Sequence, residues 1–148
     1  MKKETILSKR KEIQSLQELL INNSEDVRIV VGDSDVFPLK HTFVDGVYIR
    51  EMGMRADTFV ISKIHNLKHA WFLMKGKLTV LTDEETNEYI APCYVVAKPG
   101  AKRVIYAHED STFVTVHPNP DNEENLELIE PNLVSKSFDE YKKLNSKI

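Results

Sequence analysis

Five histidines, one lysine and one arginine carry the chemistry legible in this chain: His41, His65, His69, His108 and His117, with Lys63 and Arg103. Imidazole changes charge near neutral pH and ligates metals, so its neighbours decide its use. Along an extended chain alternate side chains share a face. That phase groups Phe59, Ile61, Lys63 and His65; His69, Trp71 and Leu73; Arg103, Ile105 and Ala107; and Phe113, Thr115 and His117. Suitably arranged strands would point Lys63, His65, His69, Arg103 and His117 into one interior. Such a set has several uses. His65 and His69 could ligate a divalent metal, with His117 completing a facial set for zinc. Arg103 could grip a carboxylate, phosphate or sugar acid with two parallel donors while Lys63 adds a point charge. His65 or His69 beside Lys63 could serve as a general base in metal-free isomerase or epimerase chemistry. Or the cations could simply pair with buried acids such as Glu51 or Asp57.

The remaining polar candidates read as structural. His41 is expected in a loop or on an edge strand, His108 in a turn before Glu109-Asp110, and Trp71 in the core. Cys93 has no assignable His-Asp partner and reads as an inert thiol. With five glycines in all, no glycine-rich phosphate loop is present.

Valine, isoleucine, threonine and aromatic residues dominate the segments expected to position these groups. They are Val27–Val31, Thr42–Val44, Val47–Met52, Thr58–His65, Ala70–Leu81, Glu88–Ile90, Tyr94–Ala97, Lys102–Ala107 and Thr112–His117. Turn signals separate them, and Asp45-Gly46 is a two-residue hairpin signal. Many short strands without helix-sized gaps predict an all-β sandwich or closed barrel. Before them, Leu7, Ile13, Leu16, Leu19 and Leu20 lie among lysines and glutamates at helical spacing, with a stop at Asn22-Asn23-Ser24. That helix would lie on the domain or serve oligomerisation. After them, Pro118–Glu124 reads as a polar link. Ser137 with Glu140 suggests a capping box opening a short final helix. The expected organisation is an N-terminal helix over 1–26, a β domain over 27–117 and a C-terminal strap over 118–148.

Composition narrows the classes. The chain has 148 residues, 20 basic and 23 acidic side chains, and a net charge of −3. That size fits one domain, and the charge gives no drive toward nucleic acid or anionic membranes. No apolar run approaches the ~20 residues of a membrane span, and none follows the N-terminus as a signal peptide requires. A single cysteine calls for no oxidising compartment.

The run Lys63-Ile64-His65, then His69-Ala70-Trp71-Phe72-Leu73, closing on Gly76, resembles the first cupin motif of His-x-His, Glu, hydrophobic strand and Gly turn. Pro99-Gly100-Ala101-Lys102-Arg103 resembles the second motif, Pro-x-Gly-x-x-His. The resemblance spans about residues 40–117 and implies a cupin-type double-stranded β-helix, or jelly-roll, barrel. The family's metal site uses three His and one Glu on iron, manganese, nickel or zinc. Here Lys63 takes the first His position, His65 the second, His69 the Glu position and Arg103 the third His. Two cations beside a divalent ion repel it, so the inherited site reads as degenerate and no cofactor is expected. More narrowly, these motifs with Phe113–Pro118 resemble small cupin-like proteins of tailed bacteriophages and prophages. That resemblance implies a phage-borne, non-enzymatic virion component or host-modulating factor, in the host cytoplasm or virion. A binder of a small anion or sugar is the alternative, and an enzyme a further one. Barrels of this kind often self-associate to protect sheet edges, so a homo-oligomer is expected.

Overall fold

Asp45-Gly46 folds the chain back between β1 (Leu39–Val44) and β2 (Gly46–Met54), which pair from Val44↔Val47 to Leu39↔Met52. The computed structural model describes residues 10–13, 15 and 37–146. Leu7, Leu16, Leu19, Leu20, the stop at Asn22–Ser24 and the expected strand Val27–Val31 lie outside the described residues. β1 and β2 continue through β10 (Ser111–Asn119), β5 (His69–Lys75) and β8 (Cys93–Ala97) into a five-stranded antiparallel sheet ordered β1-β2-β10-β5-β8. A second sheet has the order β3 (Thr58–Ile61), β9 (Val104–Ala107), β6 (Lys77–Leu81), β7 (Thr86–Ile90). Apart from the hairpins β1-β2 and β6-β7, neighbouring strands are thus distant in sequence, as in a jelly roll. The expected all-β architecture is present, among the described residues as two large open sheets and a two-stranded one rather than a closed barrel.

Alternation explains the layering. β5 buries His69, Trp71 and Leu73 and turns Ala70 and Phe72 outward, while β10 buries Phe113, Thr115 and His117. Trp71, Leu73 and Phe113 meet Leu78, Val80 and Ile105 of the other sheet in one core cluster. Burying each such side chain contributes roughly 1.5–3 kcal/mol. Gly76 joins β5 to β6 at φ +95°, and a Cβ there would sit 2.0 Å from Ser111 Oγ, so the turn admits only glycine.

The predicted strand Thr58–His65 breaks in two. Ser62 Oγ donates to Lys63 O and accepts from Arg103 N, at 2.9 and 2.8 Å, which ends β3 and starts β4 (Ile64–His65). Ser62 and Lys63 therefore lie between the two strands, and Ile61, Lys63 and His65 still line one cavity. β10 runs two residues past the expected end. Pro118 fits there because β10 pairs only with β2 beyond Val116, leaving no ladder partner that needs its missing N–H.

Two helices follow. The first, α1 (Leu126–Leu133), was not legible as a helix because Pro131 lies inside it; Asn125 caps it by accepting from Glu127 N at 3.1 Å. β11 (Val134–Ser135) then pairs with β4. In α2 (Phe138–Asn145) the expected Ser137 cap accepts from Glu140 N at 3.2 Å, but the Glu140 carboxylate takes Lys136 N instead of Ser137 N. Residues 10–13 are helical; Ile13 packs on Ile61 and Val104, and Arg10 donates to Asp83 at 2.9 Å. No helix among the described residues is long and apolar enough to cross a membrane.

Candidate functional site

The inner face of the five-stranded sheet is written in transverse rows by its register. One row carries Leu39, Met52, Phe113 and Leu73, and the next carries His41, Arg50, Thr115 and Trp71. The third carries Phe43, Tyr48 and His117, with the His69 ring 5.0 Å from His117. Polarity rises from the first row to the second, and in the third the imidazoles of His117 and His69 lie beside Phe43 and Tyr48, which pack on Ile129 and Leu133. The other sheet matches it: Ile105 of β9 joins the apolar cluster, and Arg103, two residues earlier, reaches the histidines.

Arg103 is the centre of that polar end and is 2% exposed. Its two terminal nitrogens lie 3.2 Å from His69 Nε2 and 3.2 Å from His65 Nε2. Nδ1 of His65 faces Ala101 O at 3.3 Å and Nδ1 of His69 faces Leu67 O at 3.0 Å. A ring nitrogen facing a carbonyl must donate, so both imidazoles carry their proton on Nδ1 and accept from the guanidinium on Nε2. His117 joins the stack, its ring 5.8 Å from His65, with Nε2 3.0 Å from Thr115 Oγ1. Burial, then the Arg103 charge, holds His65 well below the ordinary imidazole range and His69 at about 4. Burial, reinforced by His69, Arg50 and Arg103, holds His117 at about 3. All three are neutral at pH 7.

The guanidinium stays charged, though burial and the Arg50 charge lower it to about 10. Among the described residues no carboxylate pairs with Arg103 or Arg50, and Arg103 Nε is buried without a hydrogen-bond partner. A buried cation without a counterion costs several kcal/mol. The expected structural partners are not there: Asp57 accepts from the Tyr106 hydroxyl, and Glu51 forms no ion pair with either cation. Lys63 does not join the interior cluster. It pairs with Glu130 of α1, both side chains partly exposed, at the rim.

Arg103, Arg50, His65, His117 and Lys63 line one cavity of about 440 Å³, which α1 covers with Ile129, Glu130 and Leu133. His69 lies behind Arg103, outside this lining. His41 is on edge strand β1, as expected for a loop or edge residue, but it also lines the cavity and shares a 2.7 Å hydrogen bond with Tyr48. Arg50, Tyr48 and Glu130 were missed from sequence. The phase of Tyr48-Arg50-Met52 against His41 and Leu39 across the Asp45-Gly46 turn could have found the first two. His108 occupies the expected bend, its Nε2 2.6 Å from Thr79 Oγ1. Trp71 is core at 2% exposure, and Cys93 is a free, half-buried thiol.

The residues do not fit the divalent metal that the motif pattern implies. The Nε2 lone pairs of His65 and His69 are directed at a cation, and no group of three His, Cys, Asp or Glu side chains among the described residues could hold a metal ion.

No family model and no curated protein matches the chain. Solved structures do. An ectoine synthase from P. lautus superposes with a TM-score of 0.52 at 14% identity, over 59% of this chain and 67% of that one. A Klebsiella pneumoniae protein with a double-stranded β-helix domain gives 0.52 at 14% identity, over 64% and 86%. A cupin superfamily protein from Desulfitobacterium hafniense gives 0.50 at 8% identity, over 60% and 83%.

Proposed function

Starting from a cupin-type double-stranded β-helix fold, we propose that this chain is a binding module for a small organic anion, held between the sheets with Arg103 and Arg50 as countercharge. One observation carries the reading: a buried guanidinium has no acid of its own and faces, with a second arginine, into a cavity. An anion there would meet a planar fork of donors in a desolvated setting, where charge-assisted hydrogen bonds are strongest. Lys63 and Glu130 neutralise each other at the rim and leave the interior net positive.

The alternative, a phage-borne scaffold whose pocket is a relic, calls for the guanidinium to be neutralised within the fold, and no described carboxylate does so. General-base chemistry is weighed down by the occupied Nε2 lone pairs and by an imidazole held at about 4. Phage origin and its setting in virion or host cytoplasm rest on the motif resemblance alone. Self-association stays a separate proposal, motivated by edge strand β8 with exposed Tyr94 and Val96; light scattering reads it.

The test is calorimetry of the purified chain against a panel of organic anions, with Arg103→Met as partner. At least one anion should bind the wild type, and the variant should bind it roughly 10- to 100-fold more weakly. A panel without a single binder would remove the reading.

A further inference from the structure

We infer that the anion is an organic acid with an apolar body, lying lengthwise in the cavity with its carboxylate at Arg103 and Arg50 and its hydrocarbon against Leu39, Met52, Ile105 and Phe113. The inference rests on the anion-binding reading and adds the class of ligand. The register supplies it. Along β2 the inward side chains run Tyr48, Arg50, Met52; along β10 they run His117, Thr115, Phe113; along β1 they run Phe43, His41, Leu39. At one transverse step each strand changes from polar to apolar, Arg50 to Met52, Thr115 to Phe113 and His41 to Leu39, while on the other side of the arginines Phe43 and Tyr48 pack with Ile129 and Leu133. Facing the three strands, the β9 segment makes the same change from Arg103 to Ile105, and Val60 sits beside Ile105 in the cavity wall. Four chain segments on two sheets thus agree on one polar-to-apolar step inside one cavity, with Val60 on its apolar side.

A site for a small polar anion has no use for that step. Water in the apolar half would meet Leu39, Met52, Ile105 and Phe113 with few hydrogen-bond partners, so displacing it by hydrocarbon is favourable. The volume of about 440 Å³ falls within the range of small-molecule sites and exceeds what a bare carboxylate fills. In the polar half, the neutral imidazoles of His65 and His117 add no charge, so the two guanidinium groups set the demand for negative charge.

The experiment titrates the full chain with inorganic phosphate, acetate, butanoate, hexanoate, octanoate, 3-phenylpropanoate and the matching straight-chain alcohols. Affinity should rise roughly threefold to fourfold per buried methylene from acetate upward, until the tail outgrows the cavity. A gain over acetate in the straight-chain or the aryl series supports the inference, and each alcohol should bind at least tenfold more weakly than its acid. Leu39→Gln, at a partly buried position on edge strand β1, should flatten the chain-length dependence, with circular dichroism checking that the variant folds. Phosphate and acetate binding as tightly as hexanoate, with loss in Arg103→Met, would overturn the apolar body and keep the anion site. No binding by any acid would remove both.

Discussion

Phe113 and Thr115 are one inward step apart on β10, yet they belong to interiors that obey opposite rules. On the Phe113 side, Trp71, Leu73, Leu78, Val80 and Ile105 pack on one another in one apolar cluster with no charged side chain among them. On the Thr115 side, three neutral imidazoles surround a buried guanidinium that keeps one nitrogen unpartnered. The first region is what folding stability alone would select. The second costs stability, and a strained or unsatisfied group kept against that cost is the signature of a site.

Acid should separate the two regions most sharply. From about one pH unit above 6.5 upward the three imidazoles are essentially neutral in both folded and unfolded chains and contribute little to pH dependence. Below it the unfolded chain takes up protons that the folded chain refuses until about pH 4 at His69 and about 3 at His117, so stability falls with pH. Each buried imidazole adds up to about 1.4 kcal/mol per pH unit, and together they exceed any single core truncation. Denaturant titrations from pH 7 to 4.5 measure this slope, and His117→Gln should remove about one proton from it. Next in size, Leu73→Ala, at a fully buried position, should cost about 2–5 kcal/mol without altering that slope. Arg103→Met has the opposite sign. Replacing an unpaired buried charge by hydrocarbon should raise the melting temperature of the ligand-free protein, by about 1–2 kcal/mol of stability, while anion binding is lost. A loss of stability there would erase the contrast and return Arg103 to a structural role. Glu130→Gln, breaking the exposed Lys63 pair, should cost less than about 1 kcal/mol in thermal melts.

The sequence made the fold legible where local signals agreed with tertiary packing. Strand alternation placed His69 with Trp71 and Leu73, and Phe113 with Thr115 and His117, on inner faces. The motif positions correctly brought Arg103 to two histidines. Lys63 lines the cavity but pairs at its rim with Glu130, and phase counting shows neither that partner nor the break after Ile61, which depends on the bond between Ser62 Oγ and Arg103 N. Arg50 and Tyr48 escaped because the hairpin phase that pairs them with His41 and Phe43 was not followed across the Asp45-Gly46 turn, and their place beside His117 follows from the non-local pairing of β2 with β10. Helix α1 escaped because Pro131 masked the Ile129, Leu133 spacing that packs it on Tyr48.

The pairing of β11 with β4 couples the end of the chain to the arginine. Val134 lies opposite His65, Asn66 N donates to Leu133 O at 2.8 Å, and Ser135 Oγ donates to Asn66 Oδ1 at 2.6 Å. The Tyr141 ring also rests on Gly100, three residues before Arg103. Proteolytic nicking of the 120–125 connection, or peeling away of the last two helices, would therefore unfasten the backbone of the very imidazole on which the guanidinium leans. The tail behaves as a buttress, and its grip sets how firmly the arginine is aimed.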